Sequence, residues 1–355
     1  MIKYIGSKRL FVPLLVDIAS QIRPSGTVID LFSGTSRVGK GLKQAGFRVL
    51  SNDINTYATT LARCYVESDQ QDHGDALEAQ IAHLNRLPGK AGYFTRTFCE
   101  EGRFFQPKNG QRVDAIRDWI EAADLTPETR AILLVSLMEA ADRVDSTTGV
   151  QMAYLKQWAP RAHKDLVLRV PDLLPRAPSG KGKAHCMDAT TAARTLSGHI
   201  AYLDPPYNQH KYVGNYHVWE TLVRWDAPEA YGVARKRLDC KARKSAFNSK
   251  PRIREAMEDV VSHLDVESLV VSFNNEGYLS RSDLVELLSK RGEVVVIERP
   301  HKRYVGAQIG VFNPAGDRVG NVSHLKNKEF VFVVCKDPTA VQRRFQTANA
   351  DAIVD

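Results

Sequence analysis

Cysteine is sparse, and its spacing carries no pattern. The five residues (Cys64, Cys99, Cys186, Cys240, Cys335) are odd in number and widely scattered, and no CxxC occurs. Neither a disulfide framework nor a zinc site is indicated, and a reducing cytoplasm is the expected home. No apolar run approaches the roughly 18–20 residues that a membrane span needs. Residues Met1 to Lys8 lack the charged-then-apolar layout of a signal peptide. The ten histidines include no HExxH and no close pair beside an acid, so no metal role is expected. GxGxxG is missing too, which argues against a dinucleotide pyrophosphate site. No internal repeat is visible. What is present is ordinary: 43% hydrophobic and 25% charged residues exclude a mainly disordered chain and a coiled-coil rod. A length of 355 residues allows two domains, or one large domain with an insertion.

Charge is distributed unevenly. Lys and Arg number 49 against 41 Asp and Glu, a formal net charge of +8. Between Tyr231 and Glu255 stand Arg235, Lys236, Arg237, Lys241, Arg243, Lys244, Lys250, Arg252 and Arg254, against only Asp239 and Glu255. That segment therefore carries nearly all the excess and points to a polyanion partner. Taken alone, the charge run is equally consistent with a solvated loop.

The order of elements suggests an interrupted α/β sheet. Thr27 to Phe32 is a β-branched apolar run, Ser33 to Ser36 is a turn, and Arg37 to Ala45 has helical spacing. Gly46 stands where a helix C′ glycine belongs, and Phe47 to Leu50 is a second strand ending at Asn52-Asp53. Strand, turn, helix, strand is a βαβ unit and argues for a parallel sheet. From about Gln70 to Pro178 helices take over: Val113, Ile116, Ile120 and Ala123 share one face, and Thr126-Pro127-Glu128 opens a helix through Ala141. Strands return at His199–Leu203, Ser268–Phe273, Glu293–Glu298 and Glu329–Cys335, with a helix at Asp283–Lys290. The polar tail after Asp337 is expected to be mobile. The expected fold is a mainly parallel sheet with helices on both faces. Residues 1–69 and 184–355 form it, and 70–183 are a helical insertion.

Two motifs carry chemistry. Asp204-Pro205-Pro206-Tyr207 closes an apolar strand. Two prolines remove backbone donors and stiffen the turn, so nearby carbonyl oxygens can be aimed into one cavity. The Asp adds a second acceptor and the Tyr a flat surface. Together they suit a planar ring with an exocyclic amine, at the carboxyl end of a parallel strand where open α/β sheets bind ligands. A plain tight turn is the bland reading. Asp30-Leu31-Phe32-Ser33-Gly34-Thr35-Ser36 occupies the first βα turn, and Gly34 permits close backbone approach. Asp53 ends the second strand, where an acid can accept both ribose hydroxyls.

These blocks, in this order, resemble the Dam-like adenine-N6 DNA methyltransferases, the alpha group of amino-methyltransferases. Lys3-Tyr4-Ile5-Gly6-Ser7-Lys8 is similar to the family's N-terminal motif beside S-adenosylmethionine. Asp30 to Thr35 is similar to the motif under its methionine moiety, and Asn52-Asp53 to its ribose-binding acid. Met187-Asp188-Ala189 resembles the block that meets the cofactor's adenine amine. Asp204 to Tyr207 matches the catalytic motif. Gln209–Glu220, Arg243–Ser249 and Val271–Gly277 resemble blocks that follow it, and Asn109–Arg117 and Asp142–Tyr154 resemble the helical insertion of one subset. One departure is Ser36, where the family often has a second glycine.

The resemblance implies a Rossmann-like class I methyltransferase with a seven-stranded sheet. It implies S-adenosylmethionine as methyl donor and an adenine in double-stranded DNA as acceptor, flipped out of the duplex. A cognate restriction endonuclease is a further expected partner, and oligomeric state is left open. Catalysis is expected from Asp204, Pro205, Pro206 and Tyr207. Cofactor contacts are expected from Tyr4, Gly6, Ser7, Lys8, Asp30, Phe32, Ser33, Gly34, Thr35, Asp53, Asp188 and Ala189. DNA contacts are expected from Lys211, Tyr212, Tyr216, Arg243, Lys244, Asn248 and Lys250, and the insertion is expected to recognise the target. Asn248 is read equally as a base reader or a turn residue. Thr147-Thr148-Gly149 is a lesser candidate for a phosphate contact. Trp219 and Trp225 are read as packing before DNA wedges. The rivals are cytosine-N4 methylation, which more often goes with Ser in place of Asp204, an RNA or protein amine methyltransferase, and a non-catalytic DNA-binding module.

Overall fold

The computed structural model describes residues 1–209, 211–302, 311–312, 318–320 and 326–346. Seven strands form one sheet: β1 (Thr27–Asp30), β2 (Arg48–Asn52), β3 (Lys183–His185), β4 (Ile200–Leu203), β5 (Ser268–Asn274), β6 (Val294–Lys302) and β7 (Lys326–Val334). Their spatial order is β3-β2-β1-β4-β5-β7-β6. All neighbouring pairs are parallel except those made by β7, which runs antiparallel to both β5 and β6. The mainly parallel seven-stranded sheet expected from the sequence is therefore present. β4 is buried along its whole length, as β-branched and apolar runs covered on both faces should be.

Helices cover the two faces. Under one face, Leu15 and Ile18 of α1 (Val12–Ile22) and Leu42 of α2 (Arg37–Gln44) pack on Val28, Val49 and Val331. Under the other, Ala192 of α7 (Ala189–Thr195), Met257 and Val260 of α9 (Ile253–His263) and Leu284 of α10 (Arg281–Ser289) pack on Ile29, Leu203 and Phe332. From β1 the chain steps outward to β2 and β3, and from β4 in the opposite direction to β5. The crevice beyond the carboxyl ends of β1 and β4 is thus a topological switch point.

Residues 70–183, the stretch expected to be an insertion, hold α4 (Gly74–Arg86), α5 (Pro107–Ala122) and α6 (Pro127–Val144), while residues 145–182 are mostly irregular. Thr126 caps α6, its hydroxyl oxygen accepting from Thr129 N. Ile132, Leu133, Leu137 and Met138 on α6 have no exposed surface, so truncating one to Ala should cost about 2–5 kcal/mol. This core is continuous with Tyr57 and Leu61 of α3 (Thr56–Ala62) and with Tyr216 and Trp219 at α8 (His217–Arg224). Trp219 is packing, as read from the sequence. Trp225 caps α8, with its indole N–H donating to Asp118 at 3.0 Å.

The tail after Asp337 corrects the expectation of mobility. Pro338–Gln346 form α11, whose Val341 and Phe345, four residues apart, are buried in the first face's core. Arg344 adds an ion pair to Asp17 on α1. Residues 347–355 lie outside the described residues.

Candidate active site

The carboxyl ends of β1, β2 and β4, with the N-terminal segment and residues 242–248, line a cavity of about 380 Å³. That is within the usual range for a small-molecule site.

The turn after β4 is tightly fixed. Tyr207 O accepts from Tyr278 N at 2.9 Å, and the Tyr207 hydroxyl accepts from Asn274 Nδ2 at 3.0 Å. The Tyr207 ring leans on Phe273, with centroids 4.9 Å apart. Asp204 and Pro206 line the cavity, and Pro205 is buried behind them. Lys8 Nζ lies 3.1 Å from Asp204 Oδ1 and also pairs with the buried Glu329 of β7. Burial pushes the Asp204 carboxyl up to about 6, with Lys8 opposing and Glu329 adding to the rise. Burial alone would lower the Lys8 ammonium, but Asp204, Tyr207 and Glu329 outweigh it and hold it well above its ordinary range.

At the end of β1, Asp30 is 1% exposed, and its Oδ2 has no hydrogen-bond partner among the described residues. Burial, followed by the Asp204 and Asp53 charges, pushes Asp30 up to about 8. Ser7 Oγ and Ser33 Oγ are likewise buried without partners and line the same cavity. Buried polar atoms are nearly always satisfied, so the unpartnered hydroxyls of Ser7 and Ser33, on residues that line one cavity, point to a polar ligand. Ser36 adopts a left-handed backbone, φ +58°, at the start of α2. The position where glycine is usual in the resembling family is one that an L side chain occupies at about 1 kcal/mol of strain. Asp53 joins two loops: Oδ2 accepts from Gly34 N at 3.0 Å, and Oδ1 from Asn55 N at 2.8 Å. Asp188 lines the cavity and caps α7, accepting from Thr190 N. Phe32, Thr35 and Ala189 complete this wall.

Tyr4 is sandwiched between Tyr212 and Tyr216, with ring centroids 5.3 and 4.4 Å away. Gly6 has φ +72°, and a Cβ there would stand 3.1 Å from the Tyr212 hydroxyl, so any side chain at this position would be strained.

The expected DNA contacts divide into two groups. Lys211, Tyr212, Lys244 and Asn248 line the cavity, with Asn248 Nδ2 donating to Asn208 O at 2.7 Å. Lys250 is exposed and away from the lining. Tyr216 is corrected: it is 1% exposed, its hydroxyl accepts from Ile5 N at 2.6 Å, and it belongs to the core. Arg243 is corrected as well. It lines the cavity, but its Nη1 pairs at 2.8 Å with the fully buried Glu220, and its Nη2 donates to Ile54 O. Its charge is paired within the protein. Arg237 is buried and paired with Asp226 and Asp239, whereas Arg235 pairs with Glu101, and Arg254 with Asp283 and Glu286, at the surface. Thr147 is turned inward onto Asp145. His210, in the block after the catalytic motif, lies outside the described residues.

Sequence reasoning missed Glu329, Asn274 and Glu220. A charged residue opening the apolar run of β7 was the visible signal for Glu329. The partners of the other two are distant in the chain. Among the described residues no group of three or more His, Cys, Asp or Glu side chains could hold a metal ion, and no helix is long and apolar enough to cross a membrane.

Comparison with known proteins adds three findings. Residues 4–272 match the sequence pattern of the D12 class N6 adenine-specific DNA methyltransferases. The chain is 28% identical over 344 residues to the type II methyltransferase M.NlaIII of Neisseria lactamica, covering 93% of this chain and 97% of that protein. It is 30% identical over 321 residues to the modification methylase StsI of Streptococcus sanguinis, where it spans about half of the relative's length (48%).

Proposed function

The chain belongs to the D12 class of N6 adenine-specific DNA methyltransferases, and from that premise we propose that its cavity holds S-adenosylmethionine beside a flipped adenine. The enzyme transfers a methyl group to the N6 amine of adenine at specific sites in DNA. Within the class, our reading is the Dam-like alpha group with a Rossmann-like class I sheet.

The observation that carries the site assignment is the pair of buried, unpartnered hydroxyls of Ser7 and Ser33 in the wall of the cavity that Asp30, Asp53 and Asp204 also line. Ser7, Asp30 and Ser33 fit the polar methionine end of the cofactor, Asp53 its ribose hydroxyls, and Asp188 its adenine amine. Gly34 and Tyr4 shape the wall between them. Bound there, S-adenosylmethionine supplies an electrophilic methyl group on a sulfonium.

The protein's own part is positioning. An amine inside a duplex is out of reach, so the base must leave the stack at a cost of a few kcal/mol. Stacking on Tyr207 returns about 1–3 kcal/mol. Asn274 and Phe273 hold that ring, so little ordering remains to be done on binding. Asp204 and a carbonyl of the proline turn accept the two amine hydrogens. That grip would hold the nitrogen tetrahedral with its lone pair in line with a sulfonium methyl, so that the carbon–sulfur bond would break to a neutral thioether as the carbon–nitrogen bond formed, and one amine proton would leave to Asp204 or to water. Asp204 must be ionised to accept, so the rate should fall as pH drops through about 6.

Lys211, Lys244 and Lys250 are proposed to hold the DNA backbone, and the helical insertion to recognise the target. The names of the relatives support a role in restriction–modification beside a cognate endonuclease, and a DNA substrate supports a cytoplasmic, nucleoid-associated enzyme.

The test is mass spectrometry of nucleosides from duplex DNA treated with the purified protein and S-adenosylmethionine. N6-methyladenine is expected, and Asp204→Ala should lower turnover on the order of 10²-fold while cofactor binding holds. Full turnover by that variant would refute the site assignment.

A further inference from the structure

We propose that Glu329 is a positioning residue for methyl transfer: it holds the Lys8 ammonium against Asp204 Oδ1, leaving the second carboxylate oxygen open to the target amine. The proposal rests on the reading of Asp204 as the acceptor of that amine. Glu329 lies beyond residues 4–272, the stretch that the family pattern matches.

The geometry is a buried chain of three charges. Lys8 Nζ is 3.1 Å from Asp204 Oδ1 and in direct contact with Glu329 Oε1. The side chains are 8%, 18% and 4% exposed for Lys8, Asp204 and Glu329. The ammonium also stands 5.8 Å from the centroid of the Tyr207 ring, so three neighbours fix it. The backbone of Glu329 is held on both sides, because β7 pairs with two strands, with Glu329 opposite Asn274 and Arg299.

Two carboxylates on one ammonium differ in kind from a simple pair. A lone Lys8–Asp204 pair would neutralise Asp204 and weaken its pull on the amine hydrogen. Shared with Glu329, Lys8 orients Asp204 while the trio keeps one net negative charge. The other groups facing Asp204 are Asp30 and the hydroxyls of Tyr202, Tyr207 and Tyr212. None of them is a cation, so Lys8 is the charge that lowers Asp204, and Glu329 is the charge that limits the effect.

The two residues therefore make opposite predictions. Single-turnover methylation of a duplex by the full-length protein, at saturating S-adenosylmethionine from pH 5 to 9, should show an acid limb set by Asp204. Lys8→Gln should move that limb upward by about 1–3 pH units, the effect of removing an adjacent cation. Glu329→Gln should move it downward, since a like charge is lost and Lys8 is no longer shared. Its plateau should fall on the order of tenfold or more through lost positioning, with cofactor affinity kept within about twofold. Should Glu329→Gln fail to fold, Glu329→Asp keeps the charge while drawing Lys8 back from Asp204: the limb should shift upward, opposite to Glu329→Gln, and the plateau should drop. An unmoved or upward-shifted limb in Glu329→Gln, or an unchanged plateau in Glu329→Asp, would overturn the proposal. Full activity in Asp204→Asn would instead overturn the underlying assignment of Asp204.

Discussion

Replacing Asp30 with Asn keeps the shape of the side chain and removes a proton equilibrium that works against the fold. The carboxyl sits at about 8 in the folded protein, driven there first by burial and then by Asp204 and Asp53. In the unfolded chain it titrates near 4. Between those values the native state binds the extra proton, so native stability falls as pH rises from about 4 to 8 and is flat above. At pH 7 the accumulated cost is about 4 kcal/mol, from three pH units at 1.36 kcal/mol each. Asp30→Asn should remove up to that amount, raising the melting temperature by about 5 °C at most for a chain of this size. Differential scanning calorimetry at pH 4.5 and 7.5 checks it: the gain should be near zero at the lower pH and largest at the higher. Function should move the opposite way. A cationic sulfonium favours ionised Asp30, so binding S-adenosylmethionine at pH 7 should release close to one proton, whereas neutral S-adenosylhomocysteine should release fewer. Titration calorimetry in buffers of different ionisation enthalpy measures this, and the variant should lose the difference. A stability gain independent of pH, or equal proton release by both ligands, would refute the reasoning.

Tyr207→Ala should lower the methylation rate by removing the stacking surface, with a smaller loss in Tyr207→Phe, which keeps the ring but not the bond from Asn274; steady-state kinetics on a short duplex separates them. Lys244→Gln with Lys250→Gln should weaken binding to specific and random duplexes alike and flatten the salt slope by up to about 2, measured by anisotropy. Arg243→Gln should instead leave the slope in place and cost about 3–5 kcal/mol at most in denaturant melts, because the buried Glu220 loses its countercharge. Ser36→Gly should relieve a left-handed serine and its buried hydroxyl, raising the melting temperature by about 1–4 °C.

What the sequence made legible was local. The βαβ unit from Thr27 to Asn52 is defined by residues within one turn or one strand of each other, down to Gly46 with φ +97° after α2. The catalytic turn reads the same way, because prolines and strand end are adjacent. Pairings across the chain were illegible. Tyr216 looked like a DNA contact until its ring met Tyr4 and its hydroxyl met Ile5 N, 211 positions away. The basic run from Tyr231 to Glu255 was counted one charge at a time, and a count cannot show that Glu220, Asp226, Asp283 and Glu101 absorb four of its arginines. The tail helix was readable in principle from the spacing of Val341 and Phe345, but its many polar residues masked that signal.

The placement of β7 between β5 and β6, both of which precede it in the chain, has a kinetic consequence during synthesis. Until residues 326–334 emerge, β5 and β6 cannot close on each other in their native spacing, and each presents an apolar edge without its native partner. At translation rates of about 5–20 residues per second, the interval between making Asp204 and making β7 is roughly 6–24 s. A nascent chain in that interval has its catalytic turn but neither Glu329 nor a finished sheet. It should be both inactive on DNA and prone to stick to other chains. A ribosome stalled upstream of β7 would therefore yield a client for chaperones in place of a weak enzyme. Methylation would begin only after the last strand has been inserted.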